Sequence, residues 1–298
     1  MNGTLITLTV LGVVLLGCLL RAFWEPTQLA VTHVIMEAGE NCTIKSCQTD
    51  EEKTAHPFLH VLFFSDLHMD HLKLNQDHLL AEAERWTPDL ILFGGDVTDD
   101  PALLPAVLTL FNRLREKTGH VPLLAVPGNH DDEETLHALE TAGIRVLCNS
   151  SHTLQCRGTT WQIIGLENNQ RGRPDADRET TGSVAPRQRL VLTHNADDLL
   201  TFPPGQAGTF FAGHFHGGQI WLPFRLEFRL LRREKLPSLG HYKGCVRWGD
   251  MTGYINRGLG CVLIPLRFLS KPELTLIKLT SRDAATGSNN ENGGPDLG

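Results

Sequence analysis

The chain lacks an excess of basic charge, paired cysteines and any internal repeat. Lys and Arg total 27 against 34 Asp and Glu, a formal net charge of -7. A dedicated nucleic-acid binder carries a basic face, so no nucleic-acid partner is expected. The seven cysteines (Cys18, Cys42, Cys47, Cys148, Cys156, Cys245 and Cys261) are scattered, odd in number and without Cys-x-x-Cys spacing. That argues against a zinc ribbon or a disulfide framework; Cys42 and Cys47 could bridge in an oxidising compartment. No self-similarity with a period of about 20–50 residues is present, which excludes repeat architectures. What is there is ordinary for a globular protein: 41% hydrophobic and 20% charged residues in 298. That is enough chain for one large domain or two small ones.

A basic residue is also missing ahead of the first apolar run. Thr4 to Leu20 carries no charge, and Ala22, Phe23 and Trp24 extend the run past Arg21. About 20 such residues span a bilayer as a helix, and Trp24 suits the interface. A cleaved signal peptide wants a basic start and a small-residue cleavage site. Met1-Asn2-Gly3 offers no basic side chain, so residues 1–24 are expected to be an uncleaved transmembrane anchor. Leu15-Leu16-Gly17-Cys18 is similar to a lipoprotein processing site, but the apolar run continues beyond Cys18. Arg21 follows the span and no basic residue precedes it, which places the C-terminal domain in the cytoplasm of a single-pass cell-membrane protein.

Leu29 to Glu37 reads as an opening strand, and Ala38 to Ala55 as a polar loop or insertion, so 25–56 forms a segment of its own. From Val61 the pattern turns regular. Strands are expected at Val61–Phe64, Asp89–Phe93 and Val121–Val126, and helices at Leu74–Trp86, Pro101–Lys117 and Glu133–Ala142. This alternation argues for an α/β layered domain over 57–280. The second half reads as further strands: Ile144–Leu147, His152–Cys156, Trp161–Leu166, Leu190–His194, Thr209–Ala212, Tyr254–Asn256 and Leu274–Leu279. Asn168 to Pro186 is a long polar loop. Residues 281–298 have almost no apolar content and are expected to be a disordered tail.

Polar clusters fall at the ends of five of these strands. Asp66 and His68, two residues apart in extended chain, point the same way. Gly94-Gly95-Asp96 ends the second strand and Gly128-Asn129-His130-Asp131 the third. Leu192-Thr193-His194-Asn195 and Gly213-His214-Phe215-His216-Gly217-Gly218 end two more. Each alone has an ordinary explanation as turn glycines, a capping Asp or a core histidine. Together they bring carboxylates, an amide and imidazoles to one edge, where open α/β sheets bind ligands. Such mixed donors suit Mn, Fe, Co or Zn better than Ca or Mg. The donors outnumber what one ion needs, so two divalent ions sharing a carboxylate are expected. Two such ions against two Asp leave a formal charge of about +2, which a hydroxide and a phosphodiester neutralise, and paired ions stabilise both attack and departure in phosphoryl transfer.

The ordered set Asp-x-His, Gly-Asp, Gly-Asn-His-Asp, a lone His and Gly-His-x-His closely resembles the calcineurin-like metallophosphoesterases. The resemblance covers about Val61 to His216. Gly217-Gly218-Gln219-Ile220, Arg257-Gly258-Leu259-Gly260 and Pro272-Glu273-Leu274-Thr275 are similar to a small, membrane-attached bacterial branch. That branch includes general phosphodiesterases and a UDP-2,3-diacylglucosamine hydrolase of lipid A synthesis. The resemblance implies a two-sheet β-sandwich with flanking helices and ligands on loops along one edge. It implies that Asp66, His68 and His216 hold one ion, that Asn129, His194 and His214 hold the other, and that Asp96 bridges them. A hydroxide shared by the ions would attack phosphorus in line. His130 would stabilise developing charge or protonate the leaving oxygen, with Asp99 as its orienting carboxylate. Helix capping is the competing role for Asp99 and Asp131. Phe215 stands where the family more often has a small polar residue, so altered leaving-group contacts are expected there; Ala196 stands where the branch often has Pro.

Arg225, Arg229, Arg232, Arg233 and Lys235 are interleaved with Phe224, Leu226, Phe228, Leu230 and Leu231. This mixture suits an anionic lipid surface or an amphipathic element packed on the domain with a solvated basic face. The expected substrate is a nucleotide-linked lipid such as UDP-2,3-diacylglucosamine, with a general envelope or soluble phosphodiester as the alternative; the oligomeric state is open. Two other classes compete. Asp66-Leu67-His68-Met69-Asp70-His71 resembles the metallo-β-lactamase signature with Asp for its first His, which would make His71 a ligand. A phosphoesterase fold also serves as a non-catalytic scaffold where ligands are lost, whereas every ligand type is present here.

Overall fold

The computed structural model describes residues 3–45, 58–168, 172, 174–175, 184–232 and 234–281. The first helix, α1 (Gly3–Trp24), is followed by β1 (Ala30–Glu37), β2 (Asn41–Lys45) and β3 (Leu59–Phe64). Then come α2 (Gln76–Trp86), β4 (Leu90–Phe93), α3 (Leu104–Lys117), β5 (Leu123–Ala125), α4 (Glu133–Thr141) and β6 (Arg145–Val146). The second half runs β7 (Ser150–Cys156), β8 (Thr159–Gly165), β9 (Arg189–Asn195), β10 (Thr209–Gly213), α5 (Leu226–Leu231) and α6 (Lys235–Ser238). It closes with β11 (Gly244–Trp248), β12 (Met251–Ile255) and β13 (Glu273–Thr280).

The strands form two sheets. One has the order β2-β1-β13-β3-β4-β5-β6, the other β11-β12-β10-β9-β8-β7. Strand alternation explains how they stack. Leu62 and Phe64 of β3 face α2 and α3, packing with Leu79, Val107 and Phe111. Val61 and Phe63 face the other way, onto Ile163, Leu190, Leu192 and Phe211 of the second sheet. Burying both faces of β3 and β4 is why they read as continuous apolar runs rather than alternating ones. The second sheet is covered outside by Phe202, Phe228 and Leu236, packed against Val191 and Phe210.

Local chemistry sets the helix boundaries. Asn75 accepts from the amides of Asp77 and His78 and so caps α2. Asp132 caps α4 by accepting from Thr135 N. Asp100, through Ala102 N, caps a short 3-10 turn at Pro101–Leu103 that precedes α3. α2 and α3 start two and three residues later than expected, and α4 starts at Glu133 as expected and ends one residue early.

Three features differ from the sequence reading. Residues 38–55 are not all loop: β2 pairs antiparallel with β1, and β1 in turn is paired along its length with β13. The strand β11 was not expected; Gly244 at its start and Arg247 within it break the apolar pattern. Cys42 of β2 forms a disulfide with Cys245 of β11, Cα atoms 5.6 Å apart, across a sequence separation of 203. Sequence spacing cannot reveal such a pair, because the two edges meet only when the sheets stack. Cys47, most of the 168–186 loop, Arg233 and residues 282–298 lie outside the described residues.

Candidate metal centre

Each predicted cluster sits at the C-terminal end of its strand. Asp66 and His68 follow β3, Asp96 follows β4, Asn129 and His130 follow β5, His194 lies near the end of β9, and His214 and His216 follow β10. The two sheets bring these ends together. One ligand atom each from Asp66, His68 and His216 lie within 4.8 Å of one another, and so do atoms from Asp96, His194 and His214. Asp96 stands between the groups: its Oδ2 is 3.4 Å from His68 Nε2 and 3.2 Å from His194 Nε2. Asn129 Oδ1 and His214 Nδ1 lie 3.0 and 2.9 Å from His194 Nε2. His71 belongs to none of the clusters found among the described residues, so the rival metallo-β-lactamase-like arrangement gets no support.

The backbone is bent to make this cage. Asp66, His68, Asp96, His214 and His216 all have positive φ, from 34° to 71°. Non-glycine residues rarely adopt that region, and such strain gathers at functional sites. Close packing holds the bends. A Cβ on Gly128 would run into the Asp96 carboxylate, and Gly258, itself at φ +70°, would place one 2.7 Å from Asp66 Cβ. Buried polar contacts fix the loops. Asp131 Oδ2 accepts from Asp96 N and Gly128 N, and Oδ1 from Val97 N. Asp131 is thus a tie between two ligand loops, and the capping role falls to Asp132. Asp66 Oδ1 and Oδ2 accept from His214 N at 3.0 and 3.1 Å, joining the first sheet to the second.

Charge within the cage is balanced by protons on imidazoles. Burial pushes the Asp96 carboxyl upward, but contacts with His194 and His68 outweigh it and hold it well below the carboxylate range. Burial alone would lower His194; the Asp96 charge and hydrogen bond instead raise it to about 10. His68 is raised in the same way. His216 is driven well below the ordinary range by burial, then by His68 and Arg267. Both ring nitrogens of His68 are buried without a well-formed hydrogen bond. Buried polar atoms normally have partners. Convergent imidazole and carboxylate donors fit divalent cations once the imidazole protons are displaced.

His130 is partly exposed beside the cage. Its Nδ1 is 2.5 Å from Asp99 Oδ1, and its backbone amide donates to Asp96 Oδ1 at 2.9 Å. The Asp99 carboxylate therefore orients the imidazole, while Asp100 does the capping. Phe215 is fully buried among Phe210, Phe228 and Leu236. Its ring packs in the core, 5.6 Å from the His214 ring and 6.0 Å beneath the Arg232 guanidinium.

Three supports were not found from sequence. Glu234 Oε1 is 3.0 Å from His214 Nε2. Burial raises this carboxyl, but the His214 contact outweighs it and brings it to about 2. Arg267 is fully buried, donating to the carbonyl oxygens of Gly258, Gly260 and Ser270, with Nη2 3.4 Å from His216 Nδ1. Ser270 Oγ donates to His216 O at 2.7 Å. These residues sit in irregular chain after the last ligand, where no strand-end pattern marks them. The Arg-rich stretch reaches the site through the Glu234 contact and through Arg232, 6.0 Å over the Phe215 ring, and it lines a cavity of about 730 Å³ with Phe224, Arg225, Phe228, Arg229, Arg232 and Glu234, among others.

The sequence profile of the Calcineurin-like phosphoesterase family matches residues 59–218, more than half of the chain, and the chain belongs to that family. It is a metallophosphoesterase of mixed α/β, two-sheet architecture, and the family uses divalent metals. YkuE, an uncharacterised metallophosphoesterase of Bacillus subtilis, is 32% identical over 232 residues, 74% of this chain and 79% of that protein. The phosphodiesterase YaeI of Escherichia coli is 31% identical over 237 residues, 76% of this chain and 83% of that one. Among solved structures, a phosphopantetheinyl hydrolase from Mycobacterium tuberculosis is similar over 72% of this chain and 96% of that chain, at 11% identity and a TM-score of 0.40.

Proposed function

We propose that the protein is a membrane-anchored phosphodiesterase or pyrophosphate hydrolase with two divalent ions, manganese first among the candidates. Asp66, His68 and His216 hold one ion, Asn129, His194 and His214 the other, and Asp96 spans both. The observation that carries this reading is the position of Asp96 Oδ2, within 3.4 Å of one imidazole from each group. When bound, the paired ions supply a nucleophile from water at neutral pH and neutralise charge on the phosphoryl oxygens. In its imidazolium form His130 donates its Nδ1–H to Asp99, which fixes the ring, and presents Nε2–H to the oxygen that leaves. The catalytic unit is 57–280, tethered by α1 and preceded by the 25–56 segment.

The cavity with three arginines beside Glu234 and His214 suits the anionic, non-reacting part of an amphiphilic substrate. A nucleotide-linked lipid such as UDP-2,3-diacylglucosamine meets that description, and so does an envelope phosphodiester. The Cys42–Cys245 disulfide favours the second and the oxidising side of the membrane over the cytoplasm. Nucleotide-activated substrates are drawn from inside the cell, so sidedness separates the two. Purified protein loaded with manganese should hold two ions and hydrolyse bis(p-nitrophenyl) phosphate. Two bound ions without turnover on a panel of mono- and diesters would favour a scaffold. Labelling of cysteines on intact cells before and after reduction reads the side directly.

A further inference from the structure

The surface around the foot of α1 exposes large apolar side chains that nothing in the described chain covers. Leu263 is 85% exposed, Phe224 78% and Leu230 72%; Trp221, Ile264 and Leu269 are exposed as well. Single exposed apolar residues are ordinary. The two loops that carry these residues are tied together at their base. Trp221 N donates to Phe268 O and Phe268 N to Gln219 O, both at 2.9 Å, and the Gln219 amide brackets Val262 from both sides. Phe224, Leu263 and Leu269 all have left-handed backbone, with φ of +59°, +64° and +57°. Strain of that kind persists only where the surroundings impose it, and here it holds apolar side chains outward.

The second of these loops grips the end of α1. Arg267 N donates to Ala22 O at 3.1 Å, Ser270 N donates to the Glu25 carboxylate, and the Arg21 guanidinium lies 5.6 Å above the Phe268 ring. The 22 residues of α1 give a rod of about 33 Å, matching a hydrocarbon core of about 30 Å. Continuity with that helix identifies what covers the patch. Arg225 and Arg229 flank it, which adds charge complementary to anionic headgroups.

We propose that loops 221–230 and 262–269, together with the end of α1, form one apolar apron that seats in the bilayer interface and fixes the metal centre at headgroup depth. The fixing runs through two contacts, since Ser270 and Arg267 hold both α1 and His216. The substrate class that follows is an amphiphile whose tails stay in the membrane while its phosphodiester reaches the cage. This rests on the hydrolase reading above and on α1 as a span.

The test uses full-length, manganese-loaded protein in nanodiscs containing phosphatidylglycerol, with two chromogenic diesters: soluble bis(p-nitrophenyl) phosphate and membrane-partitioned hexadecyl p-nitrophenyl phosphate. In each, water adds to phosphorus, the bond to p-nitrophenolate breaks and a proton is released. The Leu230→Asp/Leu263→Asp protein should lose tenfold or more on the hexadecyl ester and keep its rate on the soluble one. An unchanged rate on both overturns the apron and leaves the hydrolase standing; a metal-loaded wild type inactive on both overturns the hydrolase. Independently of activity, brominated lipid should quench wild-type tryptophan fluorescence more than that of Trp221→Phe. An equal quenched fraction also overturns the apron.

Discussion

The two halves of the cage are supported differently. The group of Asp66, His68 and His216 is walled in by core: Gly258 presses on Asp66, Ser65 and Asn256 bind behind it, and Arg267 backs His216. The group of Asn129, His194 and His214 has a firm side at His194, whose Nδ1 donates to Gly94 O at 2.7 Å. Its other side is the Glu234 contact to His214, carried on the exposed basic segment. The first group is thus set by the core, whereas the second leans on the exposed basic segment. A carboxylate on the far nitrogen of a ligating His fixes its ring and raises its basicity.

The sharpest way to break this comparison is at the residue the halves share. Asp96→Asn should strip metal from both sites and lower turnover by more than about a thousandfold; a variant that binds both ions and turns over normally removes the bridge. His130→Ala should keep both ions and lower kcat by about 10²- to 10⁴-fold, so metal analysis beside kinetics separates catalysis from cage integrity. Glu234→Gln should weaken one ion of the pair by about 10- to 100-fold and leave the other unmoved. Calorimetric titration checks it, and equal weakening of both ions would show that the halves are not independent.

The smallest effect expected is on pH. In the metal-free protein His194 sits at about 10 against an ordinary 6.5. A raised imidazole stabilises the fold fully below its unfolded value and loses that contribution as pH climbs through the folded value. Metal-free protein should therefore melt at lower temperature at about pH 9.5 than at about pH 7, a trend that bound metal removes. Ions must displace the His68 and His194 protons, so metal uptake should release protons and tighten with rising pH. Calorimetry in buffers of different ionisation enthalpy measures the release; none at neutral pH would contradict the protonated cage.

The strand ends in the first half were legible because β3, β4 and β5 are buried on both faces and each is punctuated by a Gly, Asp or Asn turn. The donor types at those ends were legible for the same reason. Asp99 was readable both as the partner of His130 and as a cap, but the Asp131 role was not legible, because a carboxylate after a strand looks the same whether it caps a helix or crosses to another loop. Asp131 reaches back 35 residues to Asp96 N. The burial of Phe215 was not legible, because one position beside a histidine says nothing about which way the ring turns.

The sequence by itself determined the family, the donor set and the apolar first helix, since each is written in residue type and short spacing. Only the tertiary structure decided which donors face each other, that Cys42 meets Cys245, that Glu234 and Arg267 back the clustered histidines, and that the loop around Arg267 packs on the end of α1. Those are contacts between segments far apart in the chain. Their partners are chosen by the stacking of two sheets, and local pattern carries no record of that geometry.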